Sequence, residues 1–219
     1  MDRSIAELFV ILALNPKKGR VSINGIHFRH TLAGALIMDL LEQGEIKIEN
    51  KKVVPCFRQN GHQLHNMITN TIMKSGKNRR IIFWIRRLAS KRRFIFNEII
   101  NSLETERLIR KERKKFLYFI TYYKYWFNNP GVRISLIELL RGILLYGKTP
   151  GNKEIMLLCL VDLSRAYRCI SRERGESKIM RKKNSGFLKG DLVSAEIGQT
   201  IGEVKTAITA AIVAAHGSH

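Results

Sequence analysis

Residues 155–170, IMLLCLVDLSRAYRCI, decide how the chain folds. Ile155, Met156, Leu157, Leu158, Cys159, Leu160 and Val161 follow one another without a break, so at about 3.6 residues per turn they cover every face of a helix. A helix with no polar face must be buried. The run is much shorter than the roughly 20 apolar residues that span a bilayer, so its cover has to be other, amphipathic helices. Asp162, Ser164 and Arg165 interrupt it, while Leu163, Ala166, Tyr167, Cys169 and Ile170 keep one side apolar. Pro150-Gly151 and Asn152 supply the start signal.

Such amphipathic segments lie on both sides. Ile5, Leu8, Phe9, Ile11, Leu12 and Leu14 recur at helical spacing behind Ser4, and Glu7 completes a capping box. Asn15-Pro16 ends that helix. Val21 and Ile23, then Ile26 and Phe28, alternate about Asn24-Gly25 and predict a hairpin. A helix over 31–43 follows and stops at Gly44; its Ala33, Gly34 and Ala35 allow another helix to come close. Ile46, Ile48 and Val53 about Asn50-Lys51 predict a second hairpin. Residues 58–61 read as a loop, and Leu64, Met67, Ile68 and Ile72 as a modest helix. Arg79-Arg80, Arg86-Arg87 and Lys91-Arg92-Arg93 alternate with apolar residues that can point inward. Ile99, Ile100 and Leu103 continue a helix to about residue 108. A basic turn between two short strands covers 108–121, and 134–145 is a further amphipathic helix. The charged span from 172, extended to 190, is expected to be a mobile loop, and 193–215 an alanine-rich helix. The fold class expected is mainly α: one helical domain over 1–219, packed around a central hydrophobic helix and carrying small β-hairpins.

The chain has 39 Lys and Arg against 18 Asp and Glu, a formal net charge of +21. A polyanion is the natural partner, and an anionic membrane surface and nucleic acid both answer that description. Cys56, Cys159 and Cys169 are too few for a disulfide framework, and the opening residues show no signal-peptide pattern. Both point to a cytoplasmic chain. There is no glycine-rich phosphate loop and no nucleophile elbow, and Asp2, Asp39, Asp162 and Asp191 stand far apart. No catalytic set is expected, and the chain reads as a non-enzyme without cofactor. His62 and His65 near Cys56 lack further ligands at metal-site spacing, so they read as loop histidines. His27 and His30 flank the first predicted hairpin and read as packing histidines.

Residues 122–131, YYKYWFNNPG, end as a loop yet are loaded with aromatics. Six neighbouring core side chains would have to point several ways at once, so an exposed wedge at the headgroup level of a bilayer is the simpler reading. Among the basic residues, Arg92-Arg93 is the best placed pair to hold a phosphate by paired donors.

The order of elements in ELFVILALNPKKGRVSINGIHFRHTLAGALIMDLLEQGEIKIENKKVV (7–54) resembles the opening of the Golgi phosphoprotein 3 family, a group with bacterial members. SLETERLIRKERKKFLYF (102–119), LLCLVDLSRAY (157–167) and TAITAAIVAAH (206–216) fall in the family's order, and the chain is read as a bacterial member. The resemblance implies a single, mainly helical domain around one hydrophobic helix. It further implies a peripheral membrane protein at the cytoplasmic face that binds phosphatidylinositol 4-phosphate or another phosphoinositide. In the family a loop aligned with 122–129 presses into the bilayer; Tyr125, Trp126 and Phe127 fall at its tip, with Tyr123 beside them. The family's lipid pocket uses a Trp, an Arg and two later basic residues, at positions that here hold Asn24, Ala33, Arg93 and Phe96. Only Arg93 keeps the residue type, so the implied site is a looser one built from Arg93, Arg92, Arg29 and Arg20. Two further partners stay open at this point: nucleic acid on the same basic surface, and the tails of membrane proteins, which eukaryotic relatives grip as adaptors. Oligomers are also open.

Overall fold

The computed structural model describes residues 3–56, 63–117, 119–173, 175–187 and 195–217. The loop expected at 58–61 and His62 lie outside them. The fold is mainly α-helical, with nine helices and three two-stranded antiparallel hairpins among the described residues.

Helix α7 (Asn152–Leu163) is the element the sequence pointed to: 155–161 are all buried. Its cover comes from α1 (Ile5–Ala13), α2 (Gly25–Glu42) and α9 (Ala195–His216), which all pack against it. The burial is shared more widely than expected, because every residue of α1 and all of 30–40 in α2 are buried too. Ser4 caps α1 in a full capping box with Glu7. A second cap comes from α2, where the fully buried Asp39 accepts hydrogen bonds from the backbone N–H groups of Ile5 (2.5 Å) and Ala6 (3.0 Å). The small residues of α2 do admit a close neighbour: a Cβ on Gly34 would lie 2.2 Å from the Ile208 Cδ1 of α9.

The first predicted hairpin is misplaced. The strands are β1 (Leu14–Asn15) and β2 (Arg20–Val21), turning through 16–19, and Asn24 is instead the N-cap of α2, its Oδ1 accepting the Ile26 N–H at 2.9 Å. Asn serves turns and helix N-caps through the same short acceptor, so Asn-Gly alone did not distinguish them. The second hairpin is as predicted, β3 (Ile46–Glu49) against β4 (Lys52–Pro55), with Asn50 and Lys51 both at positive φ. Helices α3 (Gln63–Met73), α4 (Ile81–Ser90), α5 (Arg92–Thr105) and α6 (Gly131–Tyr146) complete the body, and a hairpin of β5 (Ile109–Phe116) and β6 (Ile120–Phe127) packs on α5.

The charged span from 172 is not a loop over its described length, because Glu176–Phe187 forms helix α8. The Glu176 carboxylate receives both Arg141 Nη groups of α6, at 2.6 and 2.8 Å, and the Arg172 N–H at 2.7 Å. Met180 and Asn184 are buried, and Asn184 donates to Leu158 O and to the Tyr167 hydroxyl. Few apolar residues mark α8 because polar contacts dock it. The Arg141 pair and the backbone donors hold the Glu176 carboxyl down at about 2. Its folded pKa lies below the unfolded value of about 4.3, so its contribution is fully present above that value and fades as pH falls toward the folded one. Amide protection of Met180 and Asn184, followed by NMR, is expected to drop from about pH 5 to about pH 3 ahead of protection in α7, and Glu176→Gln to flatten that dependence. Equal protection at both pH values would remove the carboxylate's role.

Candidate anion-binding site

Arg92 and Arg93 open helix α5 immediately after α4 ends at Ser90. At that junction the two side chains sit between adjoining clefts. One, of about 610 Å³, is also lined by Arg29 of α2, Lys91, Met67 and Phe94. The other, of about 590 Å³, runs beneath the β5–β6 hairpin and brings Arg92 and Arg93 to Gly25 and Phe28 of α2 and to Thr121, Tyr123 and Tyr125 of β6. A Cβ on Gly25 would lie 3.5 Å from the Arg92 Nη1, so the guanidinium rests over the first turn of α2. Its floor is aromatic: Phe96 meets Phe28 at 5.8 Å and Tyr125 at 5.3 Å, edge to face in both cases. Burial on this floor pushes the Tyr125 hydroxyl pKa up.

Among the described residues no carboxylate pairs with Arg20, Arg29, Arg92 or Arg93, and the Arg29 Nε is buried without an acceptor. Unpaired guanidinium groups facing a cleft are free to give paired donors to an oxyanion. Arg29 lines the same cleft as the pair. Arg20 does not: it is exposed on β2 and lines neither cleft. Phe96 and Ala33, which stand at two basic positions of the family pocket, are a half-buried ring and a fully covered helix residue.

The aromatic run is placed differently from the expectation. Residues 120–127 are strand β6, paired in register with β5 from Ile109 opposite Phe127 to Phe116 opposite Ile120. Tyr125, Trp126 and Phe127 therefore lie at the base of the hairpin and not at its tip, and all three are half-buried. The Tyr125 N–H donates to Gly19 O at 2.9 Å, and the Trp126 Nε1 donates to Glu112 at 2.8 Å. Gly19, at φ +62°, fits because a Cβ there would come within 3.0 Å of Lys124 and 3.3 Å of the Trp126 ring. Alternation satisfies what a loop could not. Tyr123 and Tyr125 turn toward the Arg92-Arg93 cleft, while Trp126 takes the opposite face of the ribbon.

The described residues nearest the tip are instead Leu117 and Phe119, 60 % and 77 % exposed, followed by Ile120 at 47 %. Tyr123 is exposed part-way down. Six cations (Arg110, Lys111, Arg113, Lys114, Lys115 and Lys124) line the shaft against one carboxylate, Glu112, whose pKa is drawn down by hydrogen bonds from Lys114 and Trp126. Lys111 covers the Tyr123 ring at 4.3 Å and Lys124 the Trp126 ring at 5.6 Å. Sequence reasoning missed Leu117 and Phe119, although the apolar run FLYFI (116–120) between the basic half and the aromatic half was the available signal.

His65, read as a loop histidine, is buried in α3, its Nδ1 3.1 Å from Gln43 and its Nε2 3.8 Å from Asp39. His30 is also buried, as expected of a packing residue, and burial lowers its pKa. No helix among the described residues is long and apolar enough to cross a membrane.

Fold and site together define a mainly helical body that carries a basic junction and a projecting apolar-tipped hairpin. The chain belongs to the Golgi phosphoprotein 3 (GPP34) family, which it matches over residues 5–204. It finds no match among curated proteins.

Proposed function

We propose that this chain is a peripheral membrane protein that docks on anionic phospholipid headgroups, phosphoinositides being the class of first choice, and acts by binding rather than by catalysis. Arg92, Arg93 and Arg29 hold headgroup phosphates. The tip of the β5–β6 hairpin enters the headgroup layer, with Tyr123 at its upper boundary. The observation that supports this most is the shared cleft: unpaired Arg92 and Arg93 and the Tyr123 face of the apolar-tipped hairpin open to one side of the molecule. Membership of the family supports the same reading. With Asn24, Ala33 and Phe96 at family pocket positions, the headgroup is gripped by paired guanidinium groups over an aromatic floor.

Co-sedimentation with phosphatidylcholine vesicles, plain or doped with phosphatidylserine or phosphatidylinositol 4-phosphate, tests the proposal. Each cation at an anionic surface contributes roughly 1 kcal/mol, so Arg92→Gln/Arg93→Gln is expected to weaken binding about tenfold or more at low salt. Added salt should narrow the gap, because the hairpin's share is apolar. Wild-type protein that stays in the supernatant with every anionic vesicle would end the reading. Tighter binding to duplex DNA, lost in the same variant, would move the basic junction to nucleic acid.

A further inference from the structure

A third and larger cleft, of about 780 Å³, lies beside the start of α2 and is not lined by Arg29, Arg92 or Arg93. Elements distant in sequence build it: the β1–β2 turn gives Lys18, α2 gives His27, α6 gives Arg133, the turn after α7 gives Arg165 and Arg168, and the end of α9 gives His216. Among the described residues no Asp or Glu lines it. A formal charge of +21 puts cations over much of the surface, but three features set this cleft apart from a merely basic face.

Arg133 is the first. Its Nη2 donates to Cys169 O at 3.1 Å, whereas its Nε is buried with no acceptor. Burial lowers its pKa, and no carboxylate offsets that desolvation. A buried guanidinium donor without an acceptor is costly to the fold unless something else supplies the oxygen. The second feature is the pair of imidazoles, whose rings meet edge to face at 5.6 Å. The His27 Nδ1 donates to Leu163 O at 3.0 Å and the His216 Nδ1 to Ile212 O at 2.9 Å, so a backbone carbonyl orients each ring at the cleft wall. The third is Arg165, held at φ +57° where α7 ends. Glycine usually occupies such a position, and a long side chain there carries a backbone cost.

Arg165, Arg168 and His27 also form the wall of an adjoining cleft of about 430 Å³, lined further by Lys178, Arg181 and Lys205. The one acid among its described lining residues, Asp162, is engaged by Lys205 at 3.8 Å and by the Tyr167 hydroxyl at 3.0 Å. Arg165 and Arg168 thus stand between two cationic compartments, and neither makes an ion pair among the described residues.

We infer that this double cleft is a second anion site, distinct from the Arg92-Arg93 junction, that takes a compact ligand carrying at least two phosphate groups. One phosphate lies between Arg133, Arg165 and Lys18, the other across Arg168 toward Arg181. The ligand's source is either a soluble polyphosphorylated molecule or the headgroup of a lipid.

Titration calorimetry with sodium pyrophosphate and with inorganic phosphate as probes tests it on the full chain. Pyrophosphate is expected to bind at least tenfold tighter than phosphate. Arg165→Gln/Arg168→Gln, both exposed positions, should weaken pyrophosphate tenfold or more, and Lys18→Gln, on another element, severalfold. Arg92→Gln/Arg93→Gln should leave that tighter, Arg165-dependent binding event within twofold, whatever weaker binding it removes at the junction. No pyrophosphate binding by the wild type, or an equal loss in the Arg92/Arg93 variant, overturns the site. Vesicles doped with phosphatidylinositol 4-phosphate separate the sources: a matching loss in Arg165→Gln/Arg168→Gln assigns a lipid headgroup, and unchanged sedimentation a soluble ligand.

Discussion

Asp39→Ala is expected to lower the melting temperature by about 10 °C, the largest stability loss of any single polar substitution in this chain. Asp39 is fully buried in α2, and its two carboxylate oxygens take the N–H groups of Ile5 and Ala6. These are donors of the first turn of α1, which have no partner inside their own helix. All nine residues of α1 are buried, so water cannot replace the carboxylate. Removing one member of a buried charge-assisted set costs about 3–5 kcal/mol. For a domain of this size each kcal/mol moves the midpoint by roughly 2–4 °C. Asp39→Asn should fall between, because its amide has one oxygen where the carboxylate had two and would turn a donor toward the second N–H. Thermal unfolding followed by circular dichroism checks the series, with half-buried Glu98→Ala as the control. A midpoint for Asp39→Ala within a degree or two of that control would show that α1 does not depend on the cap.

Asp39 also marks a boundary of what sequence reveals. Four widely spaced aspartates form no sequence pattern, and spacing along the chain says nothing of a carboxylate that reaches α1 from 33 residues away. What the sequence did disclose was local. Continuous apolar residues in α7, the Ser4 and Glu7 box and the Asn50-Lys51 turn each carry their signal within a few positions. Asn24 failed because one residue type serves two local geometries, and α8 failed because Arg141 and Glu176, not an apolar stripe, dock it. The hairpin was obscured for a third reason. The segment 110–115 reads RKERKK, with polar residues on both faces of a projecting ribbon, so the period of two is absent from β5 and shows only in what its partner's aromatics touch. At the site, adjacent Arg92 and Arg93 were legible as a pair. The cleft of Lys18, Arg133, Arg165, Arg168 and His216 was not, since its members meet only after folding.

Replacing the hairpin tip should affect membrane binding more than any change among the arginines. Among the described residues of the hairpin, Leu117 and Phe119 are the most exposed large apolar side chains, 60 % and 77 %, at the end away from its base. Complete removal of such a side chain from water is worth about 1.5–3 kcal/mol, and two of them therefore account for several kcal/mol of partitioning. Asp at each position removes that gain and adds two charges opposed to an anionic surface. Leu117→Asp/Phe119→Asp is accordingly expected to cut the vesicle partition coefficient by about a hundredfold or more, at about 1.4 kcal/mol per tenfold. Its dependence on salt would differ from that of Arg92→Gln/Arg93→Gln: the arginine variant loses most at low ionic strength, the tip variant at every ionic strength, because apolar burial is not screened. Folding should be unaffected, since neither side chain belongs to the core. Trp126→Ala makes the complementary case. That ring is held at the hairpin base by Glu112 and packs on Gly19, so its removal should loosen the hairpin and soften the thermal transition while leaving the tip chemistry intact. Should the tip variant sediment with anionic vesicles as well as wild type, while Trp126→Ala fails to sediment at an unchanged melting temperature, insertion would belong to the base of the hairpin and the tip would be a bystander.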